Sequence, residues 1–116
     1  MSELEGDSRR AAPRVKCRWP IKCVTEDKKT FAARAVNISQ GGIQISVPIR
    51  FDKGKSIYME ITGYVNGQRH TTKVVGNIVY VGISPHNDFQ LGLKFTSQLP
   101  PVDIKFISSY IRTMMS

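Results

Sequence analysis

Apolar and polar residues alternate along most of this chain. Val15, Cys17, Trp19, Ile21 and Cys23 share one face, while Lys16, Arg18, Pro20 and Lys22 share the other. A period of two with one apolar face predicts a half-buried strand over 14–24. Pro20 marks an edge position or a bulge in it. A polar turn over 25–29 leads to a second strand, 31–36. Ile43, Ile45 and Val47 alternate with Gln44 and Ser46 in a third, and Ile57, Met59 and Ile61 mark a fourth. Asn66-Gly67 is a hairpin signal. It opens a long fifth strand over 68–81, with Thr72, Val74, Ile78 and Tyr80 on one face and Gly76 suggesting a bulge or bend. In a sixth strand Phe89, Leu91, Leu93 and Phe95 alternate with Gln90, Gly92 and Lys94.

The period then changes. After Pro101, the residues Val102, Phe106, Ile107, Tyr110, Ile111 and Met114 fall three and four apart. That spacing is one apolar helical stripe. Pro101 suits the first turn, and Asp103 and Arg112 sit at the ends that favour their charges. Six short-looped strands and a terminal helix predict an all-β-dominated fold: a six-stranded antiparallel β-barrel with a C-terminal α-helix as a lid.

At 116 residues the chain is one domain. Residues 1–14 have few apolar side chains and no period, so we expect a flexible N-terminal arm there and the barrel over 15–116. The formal net charge is +8 and is unevenly spread. Between Ser8 and Lys22 stand Arg9, Arg10, Arg14, Lys16, Arg18 and Lys22, with no acidic residue among them. Such a run calls for an anionic partner unless it is merely a solvated face. The acidic first residues lack the apolar run of a signal peptide, and no stretch is long enough to span a bilayer, so a cytoplasmic location is expected. Cys17 and Cys23 make no metal-ligand spacing and are read as core residues. His70 and His86 are read as surface residues. No nucleophile–base pair or paired carboxylates stand out, so no enzyme is expected and no cofactor or metal.

The stretch Asn37-Ile38-Ser39-Gln40-Gly41-Gly42 lies between the second and third strands. Asn and Ser are turn formers, and paired glycines permit positive φ and close approach. The stretch reads either as a tight turn or as a ligand floor of amide, hydroxyl and bare backbone N–H groups. The arm supplies a second clue. Arg10 and Arg14 are four apart, with Arg9 beside the first. Guanidinium groups bind phosphate in bidentate fashion and stack on flat bases.

Together the two stretches resemble the PilZ domain family, which combines an R-x-x-x-R motif with a later [D/N]-x-S-x-x-G motif. Arg10-Ala11-Ala12-Pro13-Arg14 matches the first and Asn37–Gly42 the second, while Leu91-Gly92-Leu93-Lys94-Phe95 looks like the family's closing strand. The resemblance covers roughly Ser8 to the C-terminus. It implies a bacterial cyclic di-GMP receptor that signals to a protein partner when ligand orders the arm. It implies that Arg10 and Arg14 clamp phosphate and guanine, that Asn37 and Ser39 read guanine, and that Gly41 and Gly42 keep the floor open. Arg9, directly before the motif, implies a stacked, intercalated ligand dimer. Tyr80 is either an aromatic wall to that site or a core residue. Two alternatives stand beside this reading: a PilZ-like protein adaptor without a ligand, and a small basic nucleic-acid-binding barrel. The second lacks a strand bearing several outward aromatics for stacking bases.

Overall fold

The computed structural model describes residues 13–86 and 88–116. Among these residues seven strands and one helix follow in order: β1 Val15–Lys16, β2 Pro20–Thr25, β3 Thr30–Ile38, β4 Gly42–Val47, β5 Ser56–Val65, β6 Gln68–Ile83, β7 Phe89–Phe95 and α1 Pro101–Met115. All neighbours run antiparallel, and the order β3-β2-β5-β6-β7-β4 closes on itself because β4 also pairs with β3. This is the expected six-stranded barrel. The short β1 adds to β3 outside the ring.

The first expected strand is in fact two. Val15 pairs with Ile38 and Lys16 with Asn37, whereas Pro20 pairs with Arg34. One extra residue on this side is absorbed over Cys17–Trp19, beside Pro20, which cannot donate to a ladder. The apolar face survives the break: Cys17, Trp19, Ile21 and Cys23 are all buried, as expected.

Two further irregularities decide which side chains face out. In β3, Ala35 pairs with Ile45 but Asn37 with Gln44, so Val36 is an extra residue. In β6, Ile78 pairs with Leu93 but Tyr80 with Gly92, so Val79 is extra. Each bulge reverses the inside–outside phase beyond it. Ala35 and Ile38 both point inward, which puts Asn37 outside. Likewise Ile78 is buried while Tyr80 is 55% exposed. The sequence pattern had placed Tyr80 on the face of Val74 and Ile78. The bulge at Val79 corrects that and removes the core reading of Tyr80. Gly76 is no bulge. It pairs regularly with Ile57 and Phe95, and a Cβ there would meet Met59 and Leu93 at about 3 Å.

The helix closes one side of the barrel through Ile107 and Ile111, which are buried, and through Phe106 and Tyr110 against Trp19. Val102 and Met114, expected on its apolar stripe, are exposed. The buried place in the first turn goes instead to Asp103, because His70 meets it there: Nε2 lies 2.5 Å from Oδ1, and Thr72 Oγ1 donates to the same oxygen at 3.5 Å. His70 is therefore half-buried under α1 and stacked near Phe106, not a surface residue. The partner that draws it in is 33 residues away in sequence.

Candidate functional site: an outward shelf beside a basic groove

The Asn37–Gly42 stretch forms less turn than expected. Asn37 and Ile38 belong to β3 and Gly42 to β4, leaving Ser39 to Gly41 as the connection. Ser39 organises it from within. Its N–H donates to Gly42 O at 3.0 Å, and its Oγ accepts from Gly41 N–H at 3.3 Å. The residue is 5% exposed. Neither turn glycine has positive φ, which among the described glycines belongs to Gly54 and Gly67. Gly42 is there for space: a Cβ would stand 2.5 Å from Leu93 O, so only glycine lets β4 lie this close to β7. At Gly41 a Cβ would meet nothing, and the residue is open to solvent.

The bulge at Val36 turns Asn37 onto the outer face, where the ladder sets it in a row. Lys16 pairs with Asn37, Asn37 with Gln44, Gln44 with Gly92, and Gly92 with Tyr80. At about 4.8 Å per strand, Asn37 and Tyr80 stand roughly 14 Å apart. Gly92 bears no side chain, so the row is a shelf with an amide at one end and an aromatic ring at the other. The Tyr80 ring lies over Gly82, where a Cβ would meet its Oη at 2.5 Å.

A chain of amides fixes the near end. Asn37 Nδ2 donates to Gln44 Oε1 at 2.7 Å, and Gln44 Nε2 donates to Gln90 Oε1 at 2.6 Å. Asn37 Oδ1 is then left buried without a partner, and among the described residues no other buried side-chain polar atom is. Buried polar atoms are nearly always paired, so this orphan acceptor calls for an explanation.

Beside Asn37 runs a groove of about 700 Å³, lined by Lys16, Arg18, Arg34, Val36 and Ser46, with Asp88 as its acid. Arg34 Nη1 donates to Arg18 O at 2.9 Å, which holds that guanidinium on the groove wall. Arg14 directly precedes β1, whose Val15 pairs with Ile38. Of the seven residues expected at a site, Asn37, Ser39, Gly41 and Gly42 stand together at one end of the shelf, and Arg14 leads into β1 beside them. Arg9 and Arg10, with the expected arm over 1–12, lie outside the described residues. Sequence reasoning had not assigned Lys16, Arg18, Arg34, Gln44, Gln90 or Gly92 to a site. Their signal was there as outward positions on alternating strands, but which strands adjoin is not written in the alternation.

These features define a small closed β-barrel with an outward polar shelf flanked by basic side chains. The model of the PilZ domain matches residues 8–113, and the chain belongs to that family. No curated protein matches the chain in sequence. Among solved structures it is similar to the inhibitor of motility MotI/DgrA of Bacillus subtilis, with a TM-score of 0.81, 18% identity and 92% of this chain covered. The chain spans 52% of that protein's length. It is also similar to the PilZ domain of YcgR from Escherichia coli, solved with c-di-GMP, with a TM-score of 0.69, 15% identity and 92% of each chain covered. A third is the PlzA protein of Borreliella burgdorferi in complex with c-di-GMP, with a TM-score of 0.63 and 12% identity, covering 92% of this chain and 43% of that one. At these identities the likeness is one of fold. Among the described residues, no helix is long and apolar enough to cross a membrane, and no group of three or more His, Cys, Asp or Glu could hold a metal.

Proposed function

We propose that this domain is a cytoplasmic cyclic di-GMP receptor, not an enzyme, and that it signals to a protein partner. The observation that carries the reading is the orphan Asn37 Oδ1 on an outward shelf beside a basic groove. A guanine edge offers donors at N1–H and the exocyclic amine, which is what a lone acceptor amide requires. Arg14, with Arg9 and Arg10 from the preceding segment, supplies the phosphate grip and stacks on the base. Ser39 contributes by holding the connection in shape, since its Oγ is engaged there. Gly41 leaves the approach open, and Gly42 keeps the shelf close to β7. Tyr80, in the same row, is the far aromatic wall. Family membership and the neighbours solved with c-di-GMP support the ligand's identity.

On this reading the segment carrying Arg9 and Arg10 closes over the bound dinucleotide and makes a new surface for the partner. Ordering each arm residue costs about 1–2 kcal/mol. Each charge-assisted hydrogen bond returns about 1.5–3 kcal/mol. The two terms are of similar size, so tight binding needs many arm contacts; we expect a Kd of roughly micromolar size, about −8 kcal/mol, weakening with salt.

Calorimetric titration with cyclic di-GMP tests this, using GTP, cyclic GMP and single-stranded RNA as controls. Selective heat with two ligands per protein is expected if Arg9 supports an intercalated dimer. One ligand per protein keeps the receptor and removes the dimer. No binding at millimolar ligand overturns the reading in favour of a protein adaptor, and preference for RNA overturns it in favour of a nucleic-acid-binding barrel.

A further inference from the structure

The strand β6 is longer than its neighbour. β5 pairs with it only from Gln68 to Asn77, and the β4–β5 loop reaches Ile78, whose N–H and C=O bond Lys55 O and Gly54 N–H. On the other side β7 accompanies it to Ile83. From Val79 to Ile83, then, β6 has a strand on one side only among the described residues. The bulge at Val79 adds one residue to the alternation. The next groups turned to the open side therefore belong to Val81 and Ile83.

An open edge of this kind is a template for another strand, and proteins normally guard it with charge, proline or a bulge. Here the bulge at Val79 is the only such device on the open stretch. From Val74 to Ser84 there is no charged residue and no proline. Val79 is 47% and Ile83 74% exposed beside that edge. An uncharged edge with exposed β-branched residues is open to a covering strand.

We propose that the cover is a second copy of this chain, paired antiparallel along β6 about a two-fold axis at Gly82. Val81 then faces Ile83 of the second copy, and the reverse, exchanging about four backbone hydrogen bonds. The three-stranded margin β4–β7–β6 continues into its counterpart. Charge selects this occupant. With a net charge of +8, two copies repel over most of their surface. The β6 edge lets them meet along a strand that carries no lysine or arginine from Val74 to Ser84, and an uncharged, two-fold strand edge is complementary to itself. The contact is small, so the dimer dissociates at roughly 10–100 μM.

Sedimentation velocity on the full chain, without nucleotide, reads this independently of the receptor assignment. The wild type is expected to shift from monomer to dimer across that range. Ile83→Lys brings two like charges to the axis and weakens association at least tenfold, while circular dichroism and Tm stay unchanged. Mixing Ile83→Lys with Ile83→Glu restores a mixed dimer. A wild type that stays monomeric up to about 1 mM, or a dimer indifferent to Ile83→Lys, overturns the proposal.

Discussion

Two acceptor side chains of this barrel are held under opposite conditions. Under α1, Asp103 is 6% exposed, and its Oδ1 meets both His70 and Thr72. On the shelf, Asn37 Oδ1 is just as withdrawn from water and meets nothing. Burial without a partner costs roughly 1–3 kcal/mol. The helix side shows how this chain satisfies an acceptor when the purpose is to dock an element. The shelf shows one left unsatisfied, which the proposed function reads as a binding surface.

The contrast can be broken from several directions. The largest effect is expected from Arg10→Ala. Titration should show cyclic di-GMP binding weakened at least about hundredfold, with the Tm within a degree of wild type. Wild-type affinity in this variant would remove the clamp assignment. Next is Gly42→Ala. Its Cβ would press on the Leu93 carbonyl, a backbone atom that cannot rotate away, so chemical denaturation should register a loss of about 2–3 kcal/mol. Gly41→Ala meets nothing and should leave stability within about 0.5 kcal/mol. Equal losses at both positions would mean that the close approach of β4 to β7 is not what selects glycine.

Asp103→Ala tests the helix side. It should cost about 2 kcal/mol by stranding His70 and Thr72, with dinucleotide affinity unchanged. An affinity change there would erase the division between a docking side and a binding side. Asn37→Asp tests the shelf. A carboxylate accepts from both guanine donors, so affinity should rise about tenfold, or ~1.4 kcal/mol, as Gln44 turns its amide to donate.

The smallest effect concerns the core thiols. Burial pushes Cys17 up to about 11 and Cys23 up to about 12 from an ordinary 9.0. The unfolded chain therefore releases these protons first. The thiols' contribution is fully present below pH 9 and is lost as pH rises from 9 towards 12. Urea midpoints of wild type and Cys23→Ala should converge across that range. Parallel midpoints would show that the thiol does not titrate differently on unfolding.

The barrel was legible because inward and outward residues alternate so regularly that the six strands of the ring and most of their core residues follow from period. The two bulges were not. Val36 and Val79 are ordinary strand residues, and nothing in their chemistry marks them as extra. Only the pairing partner reveals the surplus. That is why Tyr80 was assigned to the same face as Ile78, and why Asn37 looked like part of a turn. His70 was hidden for a related reason, since its environment is set by a helix far along the chain. The motif residues could be recognised. Gly42 serves strand approach, not positive φ, and Ser39 bonds within its own connection. The arginines at 9 and 10 remain an assignment from the motif.

One contact reaches beyond binding. Gln40, in the connection beside the shelf, donates to Ser108 on α1, and Tyr110 Oη donates to Lys16 O on β1 at 2.7 Å. The helix is thus fastened to both margins of the candidate pocket while its last turn stands in solvent, with Met115 63% exposed. This makes α1 a built-in pointer. If a ligand on the shelf shifts either margin, a polarity-sensitive dye at that end would turn the domain into an optical sensor.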